Sequence, residues 1–132
     1  MPLKLDLRPH EKIFLGGAVL VNGDSRCRLT VLNDVPVLRE KDILKEEDAD
    51  TPCKHIYLAV QFMYMDTPNL ARYHQYYWEQ VKAVIQVAPS TTDLISKLSN
   101  FVLDGHYYQA LKTARELIRY EQELLSNARK PA

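Results

Sequence analysis

Lys45-Glu46-Glu47-Asp48-Ala49-Asp50-Thr51-Pro52 is where the chain changes character. The acidic run at 46–50 reads as a solvated helix beginning or a linker. Thr51-Pro52 is a helix start, because a threonine oxygen caps free amides and proline at the first helical position lacks an amide to satisfy. Downstream, apolar residues recur at helical spacing. Ile56, Ala59, Val60 and Met63 share a face of a helix running to about Tyr64. Thr67-Pro68 repeats the start signal, and Leu70, Tyr73, Tyr77, Val81, Val84 and Ile85 form a second stripe that ends before Pro89. Ser90 with Asp93 resembles a capping box. Leu94, Leu98, Phe101 and Val102 make a third stripe, with Gly105 suited to its C-terminal cap. Tyr107, Leu111, Ala114, Ile118 and Leu125 make a fourth, from about His106 to Asn127, before an Arg129-Lys130-Pro131 tail.

Upstream, the period is two. Leu3, Leu5 and Leu7 alternate with Lys4, Asp6 and Arg8 until Pro9-His10 breaks the run. Ile13-Phe14-Leu15 leads to Gly16-Gly17, and Val19-Leu20-Val21 leads to Asn22-Gly23-Asp24. Asn-Gly is a strong hairpin signal, which makes Arg26 to Leu32 the expected partner of the preceding strand. Cys27, Leu29 and Val31 would share one face of it. Asn33-Asp34 turns the chain before Val35 to Arg39, where Pro36 belongs at an edge or a strand start. The expected architecture is α+β: a small antiparallel β unit over 1–45, then a bundle of about four helices over 46–132. A 45-residue sheet has too little core to stand alone, so it must pack on the helices, pair with a second copy, or both.

The chemistry excludes more than it offers. Histidines 10, 55, 74 and 106 lack metal-ligand spacing, and no nucleophile elbow, phosphate loop or dinucleotide turn occurs. No enzyme, metal or cofactor is expected. Cys27 and Cys53 form no CxxC pair and read as free thiols. Helix-start amides would lower the Cys53 pKa, but a small structural residue in a first helical turn is the expected role. No apolar run is long enough to span a bilayer, and Met1 to Asp6 lacks the pattern of a secretory signal, which places the chain in the cytoplasm.

Seventeen basic and seventeen acidic residues cancel, which argues against binding nucleic acid or membrane by bulk charge. The distribution is uneven. Residues 1–45 carry eight basic against six acidic residues, and residues 46–66 one against five. The β unit is mildly basic, enough for a specific patch of the kind that reads single-stranded RNA. Among the aromatics, Tyr73 and Tyr77 lie on the apolar stripe. Tyr76 and Trp78 fall off its centre and suit a protein interface.

Specific stretches resemble a known family. Pro2-Leu3-Lys4-Leu5, the stretch from Glu11-Lys12 through Gly17-Ala18-Val19, Asn22-Gly23, Leu38-Arg39-Glu40-Lys41-Asp42-Ile43 and the tract from Thr51-Pro52 to Tyr64-Met65-Asp66 are similar to the FlbT flagellum-biosynthesis repressors of alphaproteobacteria. Gly105 to Lys112 and Tyr120 to Leu125 extend the match. The resemblance implies a cytoplasmic post-transcriptional regulator that associates with the 5′ untranslated region of flagellin mRNA and promotes its decay. Some members of that family activate instead. Flagellin and FlaF-type proteins are the implied protein partners, with no DNA and no membrane.

Leu3 to Val21 also resembles, without a gap, the start of CsrA, the carbon storage regulator, a strand-swapped RNA-binding dimer. Leu3, Leu5, Arg8, Glu11, Gly16, Val19 and Val21 carry the likeness, and Val37-Leu38-Arg39-Glu40 resembles that family's last strand. In that family the first strand of one chain and the last strand of the other build the RNA site. The resemblance therefore implies a homodimer with an RNA site at Leu5, Asp6, Leu7, Arg8 and Arg39. Leu7 stands where the family usually has a second basic residue, and Asp6 where it has a small polar one. The rival expectation is a helical adaptor that binds flagellin or a FlaF-like protein through Tyr76 and Trp78.

Overall fold

The computed structural model describes residues 2–129, with the side chain of Arg129 left out; Lys130 and Pro131 of the expected tail lie outside the described residues. The fold is α+β, with antiparallel strands followed by four helices. The chain divides into two compact units, Met1–Ile43 and Leu44–Ala132.

The first unit holds five strands: β1 (Leu3–Leu7), β2 (Lys12–Leu15), β3 (Ala18–Val21), β4 (Cys27–Val31) and β5 (Val37–Arg39). They form two small antiparallel sheets, β1-β4 and β3-β2-β5. The alternation in β1 does what its period dictates: Leu5 and Leu7 are buried while Lys4 and Asp6 are exposed. Leu5, Leu7, Ile13 and Val37 form the core, with Leu15, Leu29, Val31 and Val35 packed against it. Leu5↔Leu29 and Leu3↔Val31 set the register of the first sheet, and Phe14↔Leu38 that of β2 with β5.

The expected Asn22-Gly23 hairpin does not form. Gly16-Gly17 closes the tight turn instead, joining β2 to β3 with Leu15 opposite Ala18. Its φ angles of 55° and 100° lie in the left-handed region that such a turn requires and that glycine alone occupies freely. Asn22 closes an irregular loop with its side chain. Its Nδ2 donates to the carbonyls of Arg8 and Ser25 at 2.8 and 3.0 Å, and its Oδ1 accepts from the Gly23 amide at 2.9 Å. The loop sends β4 across to β1 rather than back onto β3.

The second unit holds α1 (Pro52–Met65), α2 (Leu70–Val87), α3 (Thr92–Leu103) and α4 (Tyr107–Arg129). Helix α1 packs on α2 and α4, and α3 packs on α4. Thr51 caps α1 by accepting the Lys54 amide at 3.3 Å, and Gly105 ends α3 at a φ of 76°. The acidic run becomes a single 3-10 turn, Glu46–Asp48, ahead of α1. Ile56, Ala59, Val60 and Met63 are fully buried, as are Tyr77, Leu98, Ala114 and Leu117.

Three details differ from the sequence expectation. Thr67 is no N-cap, because Thr67–Asn69 is a 3-10 turn ahead of α2. Ser90 is no N-cap: Pro89–Thr91 is a 3-10 turn, and Ser90 Oγ accepts the Tyr120 hydroxyl at 2.7 Å. On α4 the buried face is centred on Ala110, Leu111, Ala114 and Leu117, while Leu125 is exposed. Glu121 interrupts the apolar pattern there. It is buried because its Oε2 accepts the Cys53 amide at the start of α1, at 3.1 Å. Burial, followed by that carboxylate, pushes the Cys53 thiol far up, so it is an inert structural residue.

Candidate functional site

The strongest polar constellation lies in the first unit, where the chain leaves β1. Pleating turns Leu5 and Leu7 into the core at 7% and 4% exposure, so their side chains are withdrawn from any ligand. Asp6 points outward, opposite Arg28, whose Nε reaches its Oδ1 at 3.0 Å on a solvated surface. Arg8 follows β1 and is exposed. The chain then reverses at Pro9-His10, where His10 adopts a φ of 62° and donates its amide to the Gly23 carbonyl at 3.0 Å.

Glu11 organises the turn. Its Oε1 accepts the Arg8 amide at 2.9 Å. Its carboxylate also accepts from Arg39 at the end of β5, from Nε at 3.2 Å and from Nη2 at 3.1 Å. The same Arg39 Nη2 donates to the Asp6 carbonyl at 2.6 Å. One guanidinium thus ties β1, the turn and β5 together. The Arg8 amide first, and the Arg39 guanidinium next, hold the Glu11 carboxyl below its ordinary value against the opposing effect of burial. One residue on, Glu40 Oε1 accepts the Lys12 amide at 2.8 Å, which fastens the 3-10 turn Glu40–Asp42 to β2.

These residues line an open groove of about 510 Å³ that includes Arg8, His10, Glu11, Arg39, Glu40 and Lys41. Of the residues expected at an RNA site, the structure brings Arg8, Arg39 and the Asp6 carbonyl to one place. It keeps the Leu5 and Leu7 side chains away. Within the chain, the Arg39 guanidinium joins the ends of β1 and β5. Glu11, Glu40 and Lys41 were not singled out for the site from the sequence. Glu11 and Arg39 lie 28 residues apart, and no periodicity joins them.

On the second unit, Tyr76 is half-buried, with its hydroxyl hydrogen-bonded to His55 Nδ1. Burial, followed by the Glu46 charge, raises its pKa. It lines a groove of about 590 Å³ with Leu58, Phe62, Arg72 and Tyr73. Trp78 is 39% exposed and is absent from that groove. Positions i and i+2 on a helix are about 200° apart, so Tyr76 and Trp78 face different ways and do not form one patch. Among the described residues, no cluster of histidine, cysteine or acidic groups suits a metal ion. No described helix is long and apolar enough to cross a membrane.

The family model described as "Flagellar protein FlbT" matches residues 3–125. The chain belongs to the FlbT family. It is 45% identical over 125 residues to "Probable flagellum biosynthesis repressor protein FlbT 1" of Bradyrhizobium diazoefficiens, covering 94% of this chain and 85% of the relative. It is 44% identical over 126 residues to a probable FlbT repressor of Rhodopseudomonas palustris, covering 96% and 99%. "Flagellum biosynthesis repressor protein FlbT" of Caulobacter vibrioides is 39% identical over 129 residues, covering 96% and 92%. No solved structure matches the chain. The FlbT match spans both the groove around Arg8 and Arg39 and the helix that carries Tyr76 and Trp78.

Proposed function

We propose that this chain represses flagellum biosynthesis in the cytoplasm by binding the 5′ untranslated region of flagellin mRNA through its β unit. Repression follows from blocked translation or from mRNA decay by a recruited nuclease. The relatives' names support the repressor role. The observation that carries the RNA reading is the junction at Arg39, where the ends of β1 and β5 frame a groove edged by Arg8 and Lys41. Exposed cationic side chains beside a strand end are the equipment of a single-strand RNA reader. A homodimer is part of this reading. The edge strand β3 exposes Val19, Leu20 and Val21 at 66%, 40% and 60%, apolar surface that a small sheet normally covers.

Titration of flagellin leader RNA with the purified full-length chain tests the proposal. Wild type binds, and Arg8→Ala weakens binding, the loss of one cationic contact. Equal affinity in wild type and Arg8→Ala contradicts the site.

The Tyr76 groove, with its apolar floor of Leu58, Phe62 and Tyr73, favours a second reading in which the helical unit binds flagellin or a FlaF-like protein. Retention of purified flagellin after nuclease treatment, lost in Tyr76→Ala, is its expected signature.

A further inference from the structure

The cations of the groove are not equivalent. The Arg39 side chain is 31% exposed and that of its partner Glu11 13%. Its Nε and Nη2 are both directed at acceptors within the protein: the two oxygens of Glu11 and the carbonyl of Asp6. One whole edge of the guanidinium fork is therefore committed to the fold. Arg8 and Lys41 are the reverse. Both are exposed, and although the Arg8 charge helps keep Glu11 ionised, neither side chain makes an ion pair or hydrogen bond among the described residues.

Both free cations nevertheless stand on backbone that a carboxylate fixes. Glu11 holds the Arg8 amide, and Glu40 pins the turn that carries Lys41 to β2. Glu11 also joins the two sides through Arg39, two residues before Lys41. A carboxylate in a groove for a polyanion is electrostatically adverse, so its presence here requires a positioning role to offset the repulsion.

We propose that Arg8 and Lys41 are the phosphate-binding pair of the groove, and that Arg39 with Glu11 is a positioning clamp that sets their spacing without touching the RNA. The proposal rests on the RNA-binding reading above and divides the labour within that site. It makes Lys41 a ligand-contacting residue and takes Arg39 out of direct readout.

The test is affinity of the full-length chain for single-stranded flagellin leader RNA across a salt series. Each phosphate contact on a single strand contributes about 0.7 to the slope of log affinity against log salt. Arg8→Ala and Lys41→Ala should each weaken binding and make that slope shallower by about 0.7. Arg8→Ala keeps the amide that Glu11 accepts, and Lys41 is exposed, so both variants should fold as wild type does. Arg39→Ala should weaken binding with the slope unchanged. Glu11→Gln removes a negative charge from the groove, which by charge alone would tighten RNA binding; the clamp predicts several-fold weaker binding at an unchanged slope. Glu11→Asp, which retains the charge but shortens the clamp, should likewise weaken it.

Unchanged slopes in Arg8→Ala or Lys41→Ala, a shallower slope in Arg39→Ala, or tighter binding by Glu11→Gln would overturn the division of labour while the RNA reading stands. If Glu11 or Arg39 variants fail to fold, the Arg8 and Lys41 slopes decide the phosphate assignment alone. Absence of wild-type binding removes the RNA reading and this inference together.

Discussion

Glu11 shows how much a single half-buried side chain can organise. Its two oxygens accept a backbone amide and a guanidinium, and through Arg39 they reach the carbonyl of Asp6. Its pKa lies below the ordinary value of 4.5. A carboxyl depressed in the folded state contributes stability above its unfolded pKa and loses it as pH falls through the folded value. The clamp should therefore weaken only below about pH 4.5, near the unperturbed glutamate pKa. Urea unfolding followed by circular dichroism at pH 3 to 7 should show stability falling on the acid side, with a smaller fall in Glu11→Gln. An identical acid limb in the two proteins would mean that the carboxylate contributes nothing to folding. In the second unit, Glu121 accepts the Cys53 amide with an inward-facing carboxylate. Glu121→Ala leaves that buried amide unpaired and should cost about 1–3 kcal/mol of unfolding free energy. Glu121→Gln, which keeps an acceptor, should cost less; equal losses in the two variants would remove the hydrogen bond as the cause.

At the scale of elements, the helices were the most legible. Thr51-Pro52, the break before Pro89 and Gly105 each mark a boundary that backbone chemistry enforces, and the stripe Ile56, Ala59, Val60, Met63 is buried throughout. The last helix was less legible because its buried face includes Glu121, whose reason for burial is a contact with α1 that no helical period encodes. Strand positions were legible from alternation, but their pairing was not. Asn22-Gly23 and Gly16-Gly17 are both competent turns by residue type. The second forms the hairpin, while Asn22 is captured by the carbonyls of Arg8 and Ser25. The site was half legible for the same reason. Arg8 and Arg39 were candidates through resemblance, whereas Glu11 and Lys41 become candidates only when β1, β2 and β5 are brought side by side.

For the whole molecule, zero net charge conceals a division of character. The acidic stretch at 46–66 offsets a mildly basic β unit, so bulk electrostatics gives no affinity for RNA and any binding depends on local geometry. That geometry is the joining of the first and last strands of the β unit by Arg39. FlbT family membership and the groove at that junction both support the proposal that the β unit engages flagellin mRNA. Ultraviolet crosslinking of the purified full-length chain to flagellin leader RNA, with mass-spectrometric mapping of the attached peptides, tests it most directly. Adducts concentrated at residues 8–11 and 39–41 are predicted; adducts confined to the helices between 52 and 129, or none at all, would contradict it.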